Sequence, residues 1–265
     1  MKIGFIGCGN MGFAMMQGIV DSGKASANDI IASDVSEELI NDRKEKLGIE
    51  VTVDNKMVAS KADMLFLAVK PQYYETVIKE IAGCVNDKKI IVTIAPGKTL
   101  EWLAKTFENN DLKIVRTMPN TPAMVKEGMM ALCPNTNVSD EDLACVKDIC
   151  SGFSNTEVVS ENLMDVVTAV SGSSPAYVFM FIEAMADAAV ADGMPRASAY
   201  KFAAQAVLGS AKMVLETGKH PGELKDMVCS PGGTTIEAVR VLEEKGMRSS
   251  VFEAMKACVK KSKGM

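Results

Sequence analysis

"MKIGFIGCGNMG", residues 1–12, decides the fold. The apolar run of residues 2–7 enters Gly7, Gly9 and Gly12 in the spacing G-x-G-x-x-G, and "FAMMQGIVDSG" (13–23) continues with helical periodicity to Gly23. Strand, glycine turn and helix in that order suit a pyrophosphate. The glycines allow a tight turn and close main-chain approach, and the helix start presents free N–H groups and the positive end of its dipole. A purely structural glycine turn is the alternative.

The next element favours the ligand. "DIIASD" (29–34) is a second apolar run that ends at Asp34, about 20 residues past the last motif glycine, where a carboxylate accepts hydrogen bonds from ribose hydroxyls and repels a 2′-phosphate. The expected cofactor is NADH or NADPH, with NADH favoured by Asp34. Asp34 has a second reading as the cap of the helix "SEELINDRKEKLG" (36–48), a role for which Ser36 is equally suited.

The alternation continues with "IEVTV" (49–53), "ADMLFLAVKP" (62–71), "KKIIVTIAPG" (88–97) and "LKIVRTMPNTP" (112–122), separated by segments long enough for helices or turns. This is the pattern of an α/β fold with a Rossmann-like, parallel, doubly wound sheet. "MMALCPN" (129–135) and "NTEVV" (155–159) read as extra edge strands around a helix capped by Ser139. In such sheets ligands bind at the carboxyl ends of the strands, which places Ala68, Val69, Lys70, Pro71 and Ala95 along the cofactor cleft. Lys70 beside dinucleotide phosphates acts through its charge more readily than as a catalytic amine. Asn120 and Thr121, stiffened by Pro119 and Pro122, suit the nicotinamide end.

Around residue 160 the grammar changes, so the chain divides into a dinucleotide-binding domain (1–160) and a helical domain (161–265). The second is Ala-, Met- and Val-rich helix, with breaks expected at Ser171–Pro175, Gly193–Pro195, "GKHPG" and the loop within "CSPGGTTIEAV" (229–239). The run "AYVFMFIEAMADAAVADG" (176–193) is apolar around most of its circumference. A hundred residues of such helix cannot hide that surface alone, so a second copy of the chain is expected against it.

Composition narrows the class. The 265 residues are 48% hydrophobic and 24% charged, with a net charge of −5 that argues against a nucleic-acid surface. No uncharged apolar stretch of about 18 residues suggests a membrane span. The seven cysteines form no C-x-x-C pair, and His220 is the only histidine, which leaves a disulfide framework and a metal site unsupported. No basic and apolar leader precedes the first strand, and a cytoplasmic location is expected.

The loop at 229–239 raises a separate question. Ser230, Pro231, Gly232 and Gly233 stop a helix, and Thr234 and Thr235 begin the next, where unsatisfied N–H groups welcome an anion. An ordinary capped helix start is the alternative. Tyr177 in "SGSSPAY" lacks a lysine at the spacing of a Ser/Tyr reductase pair, and is read as part of a helix start at the subunit interface.

"GFIGCGNMG", "AVKP", "MPNTPA", "AVSGSSPAY" and "KHPGELKDMVCSPGGTT" together resemble the pyrroline-5-carboxylate reductase family over essentially the whole chain, most specifically from Asp226 to Thr235. The resemblance implies reduction of 1-pyrroline-5-carboxylate to L-proline by NADH or NADPH, in a Rossmann domain joined to a helical dimerisation domain, with dimers often assembled into rings such as decamers. It implies cofactor contacts at Gly7, Gly9, Asn10, Met11, Gly12, Asp34, Asn55, Ala68 to Pro71, Ala95 and Asn120. The substrate loop is implied to run from Ser230 through Gly232, Gly233 and Thr234 to Thr235, whose hydroxyl lies near the imine nitrogen. A carboxylate gripped by main-chain amides needs no buried arginine, and Thr235, not His220, is the expected proton-handling group. Two competing readings keep the fold: a β-hydroxyacid dehydrogenase with Lys201, Lys212 or Lys225 as base, and a non-enzymatic nicotinamide-redox sensor.

Overall fold

The computed structural model describes residues 1–264, which form two compact units: Met1–Ser173 with the chain from Val259 onward, and Ser174–Cys258. The sequence boundary after residue 160 precedes this division. Residues 161–173 belong to the sheet unit, where Met164 packs with Ala131 and Cys133.

In the first unit the chain order is β1 (Ile3–Ile6), α1 (Asn10–Asp21), β2 (Ile30–Ser33), α2 (Glu37–Leu47), β3 (Glu50–Thr52), α3 (Asn55–Lys61), β4 (Met64–Leu67) and α4 (Tyr74–Ile81). It continues with β5 (Ile90–Thr93), α5 (Leu100–Phe107), β6 (Lys113–Met118), β7 (Gly128–Pro134), α6 (Asp140–Cys150), β8 (Ser154–Val158) and α7 (Met164–Val167). The strands form one sheet in the order β3-β2-β1-β4-β5-β6-β7-β8. Strands β1, β2, β4 and β5 are buried along their whole length, as strands covered on both faces must be.

Alternate residues feed two cores. Phe5, Phe66, Val92 and Val115 face α1 and α6, with the Phe5 and Phe66 rings stacked at 4.6 Å, whereas Ile6, Leu65, Ile91 and Ile114 face α3, α4 and α5. The sheet departs from the all-parallel expectation at one place: β7 is antiparallel to β6, and β8 runs parallel to β7. Only a short link with a 3₁₀ turn, Thr121–Val125, joins β6 to β7, and a parallel crossover needs a dozen residues or more.

The second unit contains α8 (Ser174–Ala191), α9 (Arg196–Thr217), α10 (Pro221–Val228), α11 (Thr234–Glu244) and most of α12 (Met247–Ser262). Among its described residues the buried apolar side chains are Ala186, Ala199, Ala203 and Leu224, while Phe179, Phe202 and Leu215 are 63%, 68% and 80% exposed. One chain therefore leaves this unit without a core of ordinary size.

The interruption expected at Ser171–Pro175 is present. α7 passes into a π turn at Thr168–Gly172, Ser173 N donates to Thr168 O at 2.8 Å, and after the bend at Ser173 a separate helix, α8, starts at Ser174. Pro175 falls in the first turn of α8, where its missing N–H costs no helical hydrogen bond within that helix.

Candidate active site

One candidate region lies at the carboxyl edge of the sheet. Gly7 has φ +106°, and a Cβ there would stand 2.6 Å from the carbonyl carbon and oxygen of Ala68; a Cβ on Gly12 would stand 2.4 Å from Gly7 O. Both glycines are required by close main-chain packing. Gly9 differs, because nothing lies within 4 Å of where its Cβ would be. Gly9 is the N-cap of α1 and no side chain caps that helix, so the amides of its first turn have no side-chain acceptor, beside the open space at Gly9. That opening fits a dinucleotide phosphate.

Asp34, just past β2, reaches back to this loop. Its Oδ2 accepts Cys8 N at 2.8 Å and its Oδ1 accepts Ser36 N at 3.2 Å. The helix cap is Ser36, whose hydroxyl accepts Leu39 N at 3.2 Å, so the capping reading of Asp34 falls away and its side chain instead holds the glycine loop. Burial and then the Asp34 carboxylate push the Cys8 thiol up to about 12, against the pull of Arg43. Cys8 is a neutral, inert filler.

Asn55 starts α3, but its amide is engaged: Ser33 Oγ donates to Oδ1 at 2.7 Å and Nδ2 donates to Glu80 Oε2 at 2.8 Å. Ala68, Val69, Lys70 and Pro71 leave β4, with Lys70 exposed and capping a 3₁₀ turn, and Ala95 is buried just beyond β5. Asn120 follows β6. Its Nδ2 donates to Ser171 O and Oγ at 3.3 and 3.2 Å, and its Oδ1 accepts Met129 N at 2.9 Å. The structure thus gathers Gly7–Gly12, Asp34, Ala68–Pro71, Ala95 and Asn120 at one sheet edge, while the side chains of Asn55 and Asn120 serve the protein itself.

Two participants had no sequence signal. Arg43 lies across the glycine loop, its Nε donating to Cys8 O at 3.2 Å and its guanidinium 4.1 Å above the Phe13 ring. Tyr74 ties the exits of β4 and β5 together. Both depend on tertiary proximity that spacing along the chain does not reveal.

The other candidate region, in the second unit, is the loop before α11. Gly233 N donates to Ser230 O at 3.0 Å and Gly232 has φ +68°, which makes Ser230-Pro231-Gly232-Gly233 a β-turn with proline and a left-handed glycine at its centre, as type II requires. This corrects one expectation: the Gly233 N–H is used by the turn. The expected donors that remain are the amides of Gly232, Thr234 and Thr235, joined by that of Ile236, and no side chain caps the helix. His220 has a different task, capping α10 by accepting Gly222 N on Nδ1 at 3.0 Å.

Alternative acid–base groups fare poorly. Lys212 and Lys225 are in surface ion pairs with Glu216 and Asp226, and the hydrogen bond to Asp226 raises the Lys225 pKa, opposite to what a general base needs. Burial and a hydrogen bond with Cys258 likewise raise the Tyr177 phenol. Among the described residues no group of His, Cys, Asp and Glu is arranged to hold a metal ion.

A glycine loop at the head of a parallel sheet, an acid at the end of β2 and a separate helical unit define a nicotinamide-dinucleotide oxidoreductase. Residues 2–97 match the family model described as NADP oxidoreductase, coenzyme F420-dependent, and residues 161–265 match that described as pyrroline-5-carboxylate reductase dimerisation. The pyrroline-5-carboxylate reductase of Escherichia coli (strain K12) is 56% identical over 261 residues, 98% of this chain and 97% of that protein. That of Methanosarcina acetivorans is 46% identical over 265 residues, covering 99% and 97%. Among solved structures, the Plasmodium falciparum pyrroline carboxylate reductase with NADP bound superposes at a TM-score of 0.89 with 32% identity, over 99% of this chain and 97% of that one. The chain belongs to the pyrroline-5-carboxylate reductase family.

Proposed function

We propose that this chain reduces 1-pyrroline-5-carboxylate to L-proline with NADH or NADPH, the last step of proline biosynthesis. The observation that carries the reading is the uncapped amide set at the start of α11, held open by the Ser230–Gly233 turn. Main-chain N–H groups at a helix start bind a carboxylate through charge-assisted hydrogen bonds, and the absence of bulky side chains at Gly232 and Gly233 admits a small ring.

The reduced nicotinamide, when bound, supplies a hydride to the carbon of the C=N bond. The chain's own residues do the rest. Amides of Thr234, Thr235 and Ile236 anchor the acid, and this anchoring removes rotational freedom from the ring before reaction. The Thr235 hydroxyl donates a hydrogen bond to the imine nitrogen and passes on a proton from water as the nitrogen becomes an amine. Asn10, Met11 and Gly12 amides hold the pyrophosphate, and Asp34 accepts from the adenosine ribose, which favours NADH.

The apolar surface of α8 and α9 supports a homodimer. Glu161–Ala191 is long and apolar enough to cross a membrane by length and composition, yet it carries Glu183 and Asp187 and lies within the segment that matches a dimerisation family. A second protein copy, not lipid, covers it. Dimers assembling into a ring such as a decamer, and a cytoplasmic location consistent with seven free thiols, complete the proposal.

One assay tests the activity. Loss of NADH or NADPH absorbance is followed with pyrroline-5-carboxylate, and gain is followed with NAD⁺ or NADP⁺ and a β-hydroxyacid. Turnover in the first arm alone is expected. Turnover in the second arm alone points to the hydroxyacid chemistry, and cofactor binding with turnover in neither arm points to a sensor.

A further inference from the structure

Strands β4 and β5 pair in register as far as Leu67 and Thr93, and there the ladder ends. Beyond it lie three main-chain groups in the interior: the carbonyl of Leu67 and the N–H groups of Ile94 and Ala95. Buried main-chain groups without partners are costly, and here one side chain serves all three. Tyr74, itself fully buried on the first turn of α4, donates its hydroxyl to Leu67 O at 2.5 Å and accepts Ile94 N at 3.0 Å and Ala95 N at 3.2 Å. A phenol can do this because its oxygen carries one donor and two lone pairs. Burial drives the phenol pKa up, and the two amides only partly offset that shift, so the donor stays protonated.

What the phenol holds matters. Ala68 follows Leu67 directly, its N donates to Ile6 O at 2.8 Å, and its carbonyl stands where a Cβ on Gly7 would come within 2.6 Å. The path from Tyr74 to the first glycine of the dinucleotide loop therefore runs through one peptide unit. On the other side, Ala95 begins the segment that leaves β5. Thus a single hydroxyl sets where two cofactor-side segments leave the sheet, from a place the cofactor does not reach.

We propose that Tyr74 is a positioning residue for dinucleotide binding: it fixes the ends of β4 and β5, and through them the Ala68–Pro71 segment and Ala95, without touching the cofactor. This inference rests on the dinucleotide-binding reading given above.

The test compares two variants of the full-length protein. Tyr74→Phe keeps the ring and the packing but removes the oxygen. Val77→Ala, one turn along α4 and in the same apolar core, removes packing and no hydrogen bond. NADH is titrated into each by fluorescence, so binding is read without turnover. Tyr74→Phe is expected to weaken NADH binding about tenfold, the scale of one or more unsatisfied buried polar groups, and to leave KM for pyrroline-5-carboxylate within about twofold. Hydrogen exchange at the Ile94 and Ala95 amides is expected to quicken about tenfold, with Ile91 and Val92 unchanged. Val77→Ala is expected to lower Tm and bind NADH as the parent does. Equal affinity of Tyr74→Phe and the parent, equal weakening by Val77→Ala, or a Tyr74→Phe chain that no longer folds would each overturn the inference. A parent protein that binds no dinucleotide removes the underlying reading, and this inference falls with it.

Discussion

Asn120 and Ser171 are joined by two hydrogen bonds, from Asn120 Nδ2 to the Ser171 carbonyl at 3.3 Å and to its hydroxyl at 3.2 Å. Pro175 explains why the carbonyl is available, since it has no N–H to return to the residue four positions earlier. Asn120 Oδ1 takes Met129 N, so the amide bridges the "MPNT" turn, the start of β7 and the π turn. Asn120→Asp replaces the donor with an acceptor facing two acceptors. A loss of roughly 1–3 kcal/mol in urea unfolding is expected, with Ser171→Ala costing about 1 kcal/mol or less because one of the two acceptors remains.

Thr235 and His220 separate the proposed chemistry from its rival. Thr235→Ala is expected to lower turnover about 100-fold or more, the usual scale for a group that handles a proton in the transition state. His220 caps α10 through Nδ1, and asparagine is itself a strong cap, so His220→Asn should stay within a few-fold of the parent. Steady-state kinetics of both variants with pyrroline-5-carboxylate decide the matter. The reverse ranking discards this mechanism.

Asp34 has two engaged oxygens and still has lone pairs for a ribose. Specificity constants should favour NADH over NADPH in the parent protein. Asp34→Ser is expected to narrow that ratio and also to raise KM for NADH, because the Cys8 amide loses its acceptor. A parent preference for NADPH would remove Asp34 from this role.

Much of this was legible in the residues. The buried strands are short apolar runs, and the glycine loop has local spacing whose meaning comes from the strand before it and the helix after it. The antiparallel direction of β7 had its signal in the six residues between the runs 112–122 and 129–135, too few for a parallel crossover. The π turn was not legible: Ser171–Pro175 carries every sign of a helix stop, and the winding does stop at Ser173, but nothing in the spacing announces the wider turn that precedes it. Arg43 and Tyr74 were silent for another reason. A stacked guanidinium and a shared phenol gain their roles from neighbours 35 or 20 residues away in sequence.

The turn before α11 should tolerate little. A Cβ on Gly233 would stand 2.4 Å from Ser230 Oγ and 3.1 Å from Ser230 O, so Gly233→Ala turns the Ser230 hydroxyl aside and presses on the carbonyl that closes the turn. The amides that the turn presents then shift. KM for pyrroline-5-carboxylate is expected to rise roughly tenfold, while the Kd for NADH, measured by fluorescence, stays unchanged. An unchanged substrate KM would detach this loop from the carboxylate.

Acid stability has a contributor at the start of α6. Ser139 and Asp142 form a reciprocal capping box, and Lys113 Nζ lies 2.7 Å from Asp142 Oδ2. Burial raises the Asp142 pKa, but the Lys113 ammonium and the hydrogen bonds from Ser139 outweigh it, and the net shift is downward. A carboxyl whose folded pKa lies below its unfolded value stabilises the fold fully above the unfolded value, here near 3.8, and loses that contribution as pH falls through the folded pKa. Asp142→Asn keeps an acceptor for the cap and discards the charge. The variant should be less stable than the parent by about 1 kcal/mol at neutral pH, a modest figure because both partners are partly hydrated. As pH falls below 3.8 and through the folded pKa the two unfolding curves should converge. Urea titrations of both proteins across that range check it, and a gap that persists undiminished in acid would assign the loss to altered packing instead of to the carboxylate's charge.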